Sequence, residues 1–276
     1  MSNFGERLLT GVLFVLVLLG SIVQSEFTSS ILFFVIILLC QREFYGFFKA
    51  SDIKAQSLVG ILGGLGFFLA SVIAHQANLK FNTLFLIVPL LFFVFIIELF
   101  RNRPNPIPNI AYTVLGIIYV AVPFTLLHEL SYYSNYQFGK EYNYEVLLGY
   151  FFVLWANDTG AYLVGRKLGR TKLFERISPK KTWEGSLGGA LMGLLIGYVN
   201  SIIFTGLDTI TWMSLALIVV IFGSLGDLVE SLFKRSLGIK DSGKLLPGHG
   251  GVLDRFDGIF ISAPMVYTFL RILSIC

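Results

Sequence analysis

The sequence predicts an all-α polytopic membrane protein, and three observations lead to that fold class. The 276-residue chain is 55% hydrophobic, and its mean hydropathy is +0.76. Only 14% of its residues are charged, whereas soluble domains carry about 25%. Apolar runs near the roughly 20 residues that a transmembrane helix requires recur along the chain. Together these observations exclude an ordinary soluble domain.

The predicted transmembrane helices number about nine. The first follows Arg7 without a small-residue cleavage site, so we expect a retained helix and not a signal peptide. The second run is short, and its extension into Arg42 and Glu43 would bring these two residues to a membrane interface. The nine runs are residues 8–24, 28–40, 58–74, 83–100, 109–127, 146–164, 185–204, 209–226 and 258–275.

The distribution of lysine and arginine predicts the topology. With a cytoplasmic N-terminus, 18 of the 21 basic residues fall on the cytoplasmic side, as the positive-inside rule requires. The outer segments keep Lys80, Lys140 and Arg271. We therefore expect an integral protein of a bacterial inner (cell) membrane, or an equivalent bilayer, with its C-terminus outside. The net charge of +4 follows from this topology, so we expect no nucleic-acid partner.

The chain changes in character near residue 145. Residues 1–145 hold about five apolar runs with few ionisable groups, and residues 146–276 hold about four runs with polar groups inside them and two basic cytoplasmic loops. This change predicts an N-terminal transmembrane region followed by a C-terminal transmembrane catalytic region.

Acidic residues lie within one apolar run of the second half and at the end of another. Asp158 follows Asn157 inside the run 146–164, where an ionisable group is costly and marks a functional site, a bridge between helices being the alternative. Asp227 and Glu230 are three residues apart and therefore lie on one face of a helix.

A third acidic cluster precedes the last apolar run. Asp254 and Asp257 have the same i, i+3 spacing, and a helix N-terminus at this point would favour both charges. Magnesium is held by one or two carboxylates together with substrate phosphates. The carboxylates therefore predict a divalent-cation site, and ion pairs with Arg235 and Arg255 are the alternative.

A first basic loop, "GRKLGRTKLFERISPKKTWEG", carries four Lys and three Arg. These residues are numerous enough to clamp phosphates, although basic residues beside a membrane also attract anionic lipid. Its last part, "SPKKTWEG", predicts a proline-fixed turn with paired lysines, followed by a helix that Thr182 and Glu184 open.

A second loop, "KDSGKLLPGHGG", is rich in glycine. Gly248, Gly250 and Gly251 let backbone N–H groups approach an anion closely. His249 is a candidate for phosphate binding or acid–base chemistry. The basic neighbours that favour a polyphosphate are Lys234, Arg235, Lys240 and Lys244.

The carboxylates suit a metal ion, the basic loops suit phosphates, and both are expected on one membrane face. This combination predicts a metal-dependent phosphate transferase that acts on a lipid. The sequence contains no GxxxxGK[ST], GxSxG or HExxH pattern, which argues against P-loop phosphotransferases, serine hydrolases and zinc proteases.

The segment "SLFKRSLGIKDSGKLLPGHGGVLDRFDG" resembles the signature of the phosphatidate cytidylyltransferases, the CDP-diacylglycerol synthases. That signature runs S-x-x-K-R, four residues, K-D-x-x, then H-G-G-x-x-D-R-x-D. "NDTGAYLVGRKLG" and "SPKKTWEGSLGG" are similar to two further stretches of the family. The signature positions are filled by Ser231, Lys234, Arg235, Lys240, Asp241, His249, Gly250, Gly251, Asp254, Arg255 and Asp257.

The resemblance implies that CTP and phosphatidate react to give CDP-diacylglycerol and pyrophosphate. It implies Mg²⁺ or another divalent cation, with or without K⁺ beside it, and a membrane-lipid environment. The metal ligands would be Asp227, Asp254 and Asp257, and the catalytic residues Asp254, Asp227 and His249. The substrate-binding residues would be Ser178, Lys180, Lys181, Lys234, Arg235, Lys240, Gly250, Gly251, Arg255 and Asp158.

Two other functions stay open at the level of sequence. One is a different membrane lipid phosphotransferase, such as a polyprenol kinase. The other is an ion-coupled transporter that uses Asp158 and Asp227 as an ion pathway, although related halves are not visible in the chain. A homodimer and a monomer are both compatible with the sequence.

Overall fold

The computed structural model describes residues 3–48, 52–77, 83–134, 136–139, 141–243, 245 and 250–275. Within these residues the chain forms ten α-helices and four short strands. The helices are α1 (Asn3–Gln24), α2 (Glu26–Gly46), α3 (Ser57–Gln76), α4 (Ile87–Arg101), α5 (Pro106–Gly116), α6 (Val122–Glu129), α7 (Glu145–Leu168), α8 (Trp183–Ile203), α9 (Thr209–Ser236) and α10 (Ile259–Leu273).

The prediction of an all-α membrane protein is confirmed. Each of the nine predicted runs coincides with helical chain. In the described part of the chain, five helical segments are long and apolar enough to cross a membrane, and Leu9–Gln24 and Ile259–Leu273 are shorter apolar helices. The five are Glu26–Gly46, Ser57–Gln76, Pro106–Tyr132, Trp183–Ile203 and Thr209–Ser236.

Polar side chains begin several of these helices. The hydroxyl of Ser25 accepts a hydrogen bond from Thr28 N (3.2 Å) and separates α1 from α2. The Asp208 carboxylate accepts from Thr211 N (2.7 Å) at the start of α9, and hydrogen bonds from Thr211 lower the pKa of Asp208. Each bond satisfies a backbone N–H that has no partner inside its helix.

Helix α2 continues beyond the predicted run 28–40, as far as Gly46. Its last turns are buried because they bond to neighbouring helices. Gln41 Nε2 donates to the carbonyl oxygens of Gly60 (3.1 Å) and Gly116 (3.3 Å), and the Tyr45 hydroxyl donates to Thr113 O (2.8 Å). These bonds extend α2 through a polar segment that hydropathy alone does not assign to it.

The chain divides into two compact units. The first unit comprises Met1–His128 and Asp241–Phe256, and the second comprises Glu129–Lys240 and Asp257–Cys276. Each is held together by its own helices. The predicted division near residue 145 concerns where catalysis takes place, and it stays a prediction.

In the second unit, α7 and α8 approach closely along a row of small residues. A Cβ added at Gly189 would lie 2.7 Å from Asn157 O, and one at Gly160 would lie 2.7 Å from Gly188 O. Helices in membranes pack through small residues in this way. The close packing fixes the position of Asn157, and therefore of Asp158, against α8.

Two short antiparallel hairpins interrupt the helices. Strands β1 (Tyr133–Ser134) and β2 (Gln137–Phe138) form the first, and β3 (Lys172–Phe174) and β4 (Ser178–Thr182) the second. The predicted proline-fixed turn at "SPKKTWEG" is therefore wrong, since Pro179 lies in β4. The predicted opening of α8 is confirmed, because the Thr182 hydroxyl accepts from Gly185 N (3.2 Å).

The last helix begins later than its acidic cluster. A 3-10 turn spans Leu253–Arg255, and α10 starts at Ile259. Asp254 and Asp257 therefore do not share one α-helix. Their i, i+3 spacing does not place the two carboxylates on a common helical face.

Candidate active site

A cavity of about 450 Å³ lies in the second unit. It is enclosed by α7, the β3–β4 hairpin, the start of α8 and the middle of α9. Its size is within the range of small-molecule sites. The lining residues are Asn157, Asp158, Ala161, Tyr162, Gly165, Arg166, Leu173, Lys180, Lys181, Thr182, Gly185, Ser186, Ser224 and Asp227.

Lys181 and Asp227, which both line this cavity, form an ion pair. Lys181 Nζ lies 2.5 Å from Asp227 Oδ2, and Ser231 Oγ donates to Asp227 Oδ1 at 3.3 Å. Both charged side chains are only partly buried. The pair therefore brings together a cation suited to phosphate and a carboxylate suited to a metal ion on one wall.

Three carboxylates of the second unit act on one another electrostatically. Burial raises the pKa of the Asp257 carboxyl, and the negative charges of Asp227 and Asp158 raise it further, while Lys181 opposes them. Gly226 makes this approach feasible, because a Cβ there would lie 2.8 Å from Asp257 O. The result is a concentration of negative charge that a bound cation would relieve.

The chemistry of these donors fits a hard cation. Carboxylate oxygens are the ligands that Mg²⁺ takes. Within the described residues, no three acidic, histidine or cysteine side chains are close enough to hold an ion by themselves. The arrangement therefore suits a cation that completes its coordination with water and substrate phosphates, and not a closed protein site.

The β3–β4 hairpin carries the paired lysines to the cavity. Ser178, Lys180 and Lys181 all lie on β4. The hairpin is fixed to α8, since the Glu184 carboxylate accepts from the backbone N–H groups of Arg170 (3.0 Å) and Thr171 (3.1 Å). A loop that the sequence describes only as basic is thus held in place.

Three further predicted substrate-binding residues lie at or just beyond the end of α9. Lys234 is buried and its Nζ lies 3.1 Å from Glu230 Oε1. Arg235 is exposed and donates from Nη1 to Ile239 O (3.3 Å), and Lys240 is also exposed. Glu230 is therefore paired with Lys234, while Asp227 is paired with Lys181 one turn earlier.

Asp254 lies in the first unit and is bound to backbone amides. Its Oδ2 accepts from Ser242 N and from Gly251 N, both at 2.9 Å. Gly250 has a φ of +82°, a conformation that glycine adopts without steric cost. The carboxylate closes a turn at Gly250 and Gly251, while Arg255 is exposed.

Glu43 of α2 is a residue that the sequence did not identify. Its Oε1 accepts from Val252 N (3.0 Å), and its Oε2 accepts from Leu253 N (2.8 Å) and Ser242 Oγ (3.1 Å). The sequence placed Glu43 at a membrane interface. An acid beside Arg42 at the end of an apolar run is the local signal, and nothing nearby indicates partners about 200 residues away.

Two predicted phosphate-binding residues, His249 and Lys244, lie outside the described residues, as does Gly248. The site residues that the structure describes fall into two groups. In the second unit, four of them line the cavity, namely Asp158, Lys180, Lys181 and Asp227. Lys234 and Arg235 lie on α9, Lys240 follows α9, Ser178 begins β4 and Asp257 precedes α10. Those in the first unit lie at or near the turn at Gly250.

Comparison with known proteins supports the predicted family resemblance. A family model described as the cytidylyltransferase family matches residues 5–273. The phosphatidate cytidylyltransferase of Staphylococcus saprophyticus is 33% identical over 264 residues, which cover 94% of this chain and 96% of that protein. The enzymes of the same name from Staphylococcus haemolyticus and Staphylococcus epidermidis are each 31% identical, with the same coverage. The chain therefore belongs to the cytidylyltransferase family.

Proposed function

We propose that this protein is a phosphatidate cytidylyltransferase, which converts CTP and phosphatidate into CDP-diacylglycerol and pyrophosphate in phospholipid biosynthesis. The observation that carries the proposal is the second-unit cavity, where Lys181 is paired with Asp227 beside further carboxylates. In a membrane protein of the cytidylyltransferase family, this combination suits a phosphate-bearing lipid and a nucleoside triphosphate.

The reaction depends mainly on the positioning of the two substrates. A phosphate oxygen of phosphatidate forms a bond to the α-phosphorus of CTP. The bond between that phosphorus and the oxygen that bridges to the β-phosphorus breaks, and pyrophosphate leaves with the electron pair. The nucleophile is already an anion, so no proton has to be removed from it. Catalysis then consists of aligning two anions and offsetting their repulsion.

We assign the divalent cation to Asp227 and Asp257 of the second unit, and the ligand role of Asp254, which belongs to the first unit, stays a prediction. Mg²⁺ is the expected ion, with or without K⁺ beside it. When bound, such an ion supplies positive charge to the phosphates. The proposal is supported by the crowded carboxylates of the second unit.

We assign substrate phosphates to the basic and glycine-rich segments. Lys180 and Lys181 are proposed to contact phosphates from the β4 side of the cavity, which both of them line. Glu43 is proposed to hold the turn at Gly250 and Gly251 in its phosphate-binding shape, since it accepts three hydrogen bonds from that loop. The remaining proposed contacts are Ser178, Asp158, Lys234, Arg235, Lys240, His249 and Arg255.

The finer topology is part of the same proposal. We propose nine transmembrane helices, a cytoplasmic N-terminus, an external C-terminus and an active site that faces the cytoplasm of a bacterial inner membrane. The bias of basic residues toward one side supports this arrangement. Residues 146–276 would then supply most of the catalytic groups, with the turn around Gly250 among them.

The test is release of pyrophosphate by purified protein in detergent or vesicles with Mg²⁺. We expect release from CTP only when phosphatidate is present, in a one-to-one ratio with CDP-diacylglycerol. Phosphorylation of a polyprenol would instead identify a lipid kinase. Ion or solute flux in vesicles without pyrophosphate would identify a transporter, and either result would contradict the proposal.

A further inference from the structure

A second cavity, of about 460 Å³, lies within the first unit and is not used by the proposed reaction. It is bounded by the end of α2, residues 53–61 and the chain that follows α4. None of the described residues that line it is acidic. The basic residues that line it are Arg42, Lys54, Arg101 and Arg103.

One wall of this cavity is fixed by a buried carboxylate. Glu98 is 5% exposed and accepts hydrogen bonds from Arg101 Nη1 (2.6 Å), Gln56 Nε2 (2.7 Å) and Asn109 Nδ2 (2.7 Å). Arg101 Nη1 also donates to Lys54 O at 2.9 Å. The position of the Arg101 guanidinium and of the neighbouring backbone is therefore set before any ligand binds.

The other two arginines differ from Arg101. Both Arg42 and Arg103 are exposed, and in the described part of the chain neither has an ion-pair partner. Guanidinium groups match the oxygens of a phosphate through paired N–H donors. Two guanidiniums without carboxylates, beside a third in fixed position, form a site for a phosphate group.

The helices around the cavity indicate that the phosphate belongs to a lipid. Leu58 and Leu62 flank the lining residue Ile61 on α3, and Phe100 precedes Arg101 on α4. These three apolar side chains are at least 60% exposed. A cavity whose basic lining adjoins exposed apolar helix faces suits a headgroup, with acyl chains lying along those faces.

We propose that this cavity binds the phosphate of an anionic phospholipid headgroup. The site would hold a resident lipid, as basic pockets between transmembrane helices do. The proposal does not depend on the cytidylyltransferase reaction, because it concerns binding without CTP.

The test uses photoactivatable phosphatidylglycerol, with its reactive group near the glycerol, in phosphatidylcholine nanodiscs that hold the full chain. We expect saturable labelling, with cross-linked peptides that contain residues 53–61 or 101–103. The double variant Arg42→Gln/Arg103→Gln should weaken binding about tenfold or more, because charge-assisted hydrogen bonds are lost. Both side chains are exposed, and an unchanged melting temperature would verify folding.

The matched control is Arg170→Gln/Arg176→Gln, which removes the same charge from exposed positions of the second unit. We expect binding within about twofold of the unmodified protein. Equal losses in the two double variants would show diffuse attraction and would overturn the proposal. So would labelling without preference over a phosphatidylcholine probe, or complete displacement of the lipid by millimolar inorganic phosphate, which would assign the cavity to free phosphate.

Discussion

Asp254 and Asp257 are three residues apart in the same acidic segment, yet their electrostatic surroundings differ. In the first unit, Asp254 faces backbone N–H groups of its own loop. In the second unit, Asp257 faces the negative charges of Asp227 and Asp158, with one cation, Lys181, to oppose them. Asp254 accepts from the amides of two residues, whereas Asp257 accepts from Gly258 N (2.8 Å) and has two like charges beside it.

This difference separates two uses of the same side chain. A carboxylate among amides shapes a loop, and its charge is offset without a metal. A carboxylate among carboxylates has its charge offset only when a cation binds. We therefore expect the chemistry to be more sensitive to the charge of Asp257 than to the charge of Asp254.

The largest expected effect is that of Asp257→Asn. The substitution keeps the volume and removes the charge, so kcat for pyrophosphate release should fall about 10³-fold. Asp208→Asn is the matched control, because Asp208 begins α9 and asparagine is an equally good N-cap. Activity of Asp257→Asn within tenfold of the unmodified protein would contradict the metal assignment.

Lys181→Gln should have the next largest effect. It removes the cation beside Asp227, so we expect about a 10²-fold loss in kcat/KM for CTP, since one charge that stabilises the phosphates is lost. Lys172→Gln is the control, because it removes a cation from the same hairpin, where Lys172 Nζ donates to Pro179 O. Equal losses of kcat/KM in the Lys181 and Lys172 variants, measured by steady-state kinetics, would indicate a general effect of charge and contradict a specific role of Lys181.

Gly226→Ala tests the approach of the carboxylates without altering any charge. Its Cβ would meet Asp257 O, so the start of α10 must shift away from α9. We expect about a tenfold loss of kcat and a loss of about 1–3 kcal/mol in stability. Gly66→Ala is the control, since nothing lies within 4 Å of a Cβ there. A fully active Gly226→Ala variant would show that catalysis does not depend on the close approach of Asp257 to α9.

Glu43→Gln should have the smallest effect. The amide keeps one acceptor oxygen for the three donors, so the turn at Gly250 should loosen and kcat should fall about threefold to fivefold. At saturating CTP, Glu43→Ala should lower kcat more than Glu43→Gln does. Glu175→Gln, at an exposed position of the β3–β4 hairpin, serves as control. Equal kcat values for the Gln and Ala variants would contradict the proposal that Glu43 holds this turn.

The helices could be predicted from sequence because a membrane leaves few alternatives. Backbone polar groups have no water to bond in a bilayer, so each apolar run must be helical. Hairpin β3–β4 was not predicted, since Pro179 disfavours a strand and the surrounding charges do not alternate. The end of α2 was missed because Gln41 and Tyr45 are buried by bonds to α3 and α5, which no local pattern reveals.

The candidate site was found where its residue types are unusual for a membrane segment. Asp158 is conspicuous inside an apolar run and Asp227 at the end of one, and the structure brings both to one cavity. The spacing of residues in the sequence could not reveal that Asp254 accepts hydrogen bonds from backbone amides, or that Lys234 forms an ion pair with Glu230. Glu43 could not be found at all, because its partners are distant in sequence. Local sequence identifies chemical groups, and tertiary contacts decide which of them are available.

The most direct test of the difference between the two aspartates is binding of Mn²⁺, a spectroscopic substitute for Mg²⁺, followed by electron paramagnetic resonance in the presence of CTP. Asp257→Asn should weaken Mn²⁺ binding at least about tenfold, because the cation loses a charged ligand. Asp254→Asn should weaken it less, because that carboxylate is already offset by Ser242 and Gly251 amides. The reverse order, with tight binding in Asp257→Asn and loss in Asp254→Asn, would contradict the division of roles.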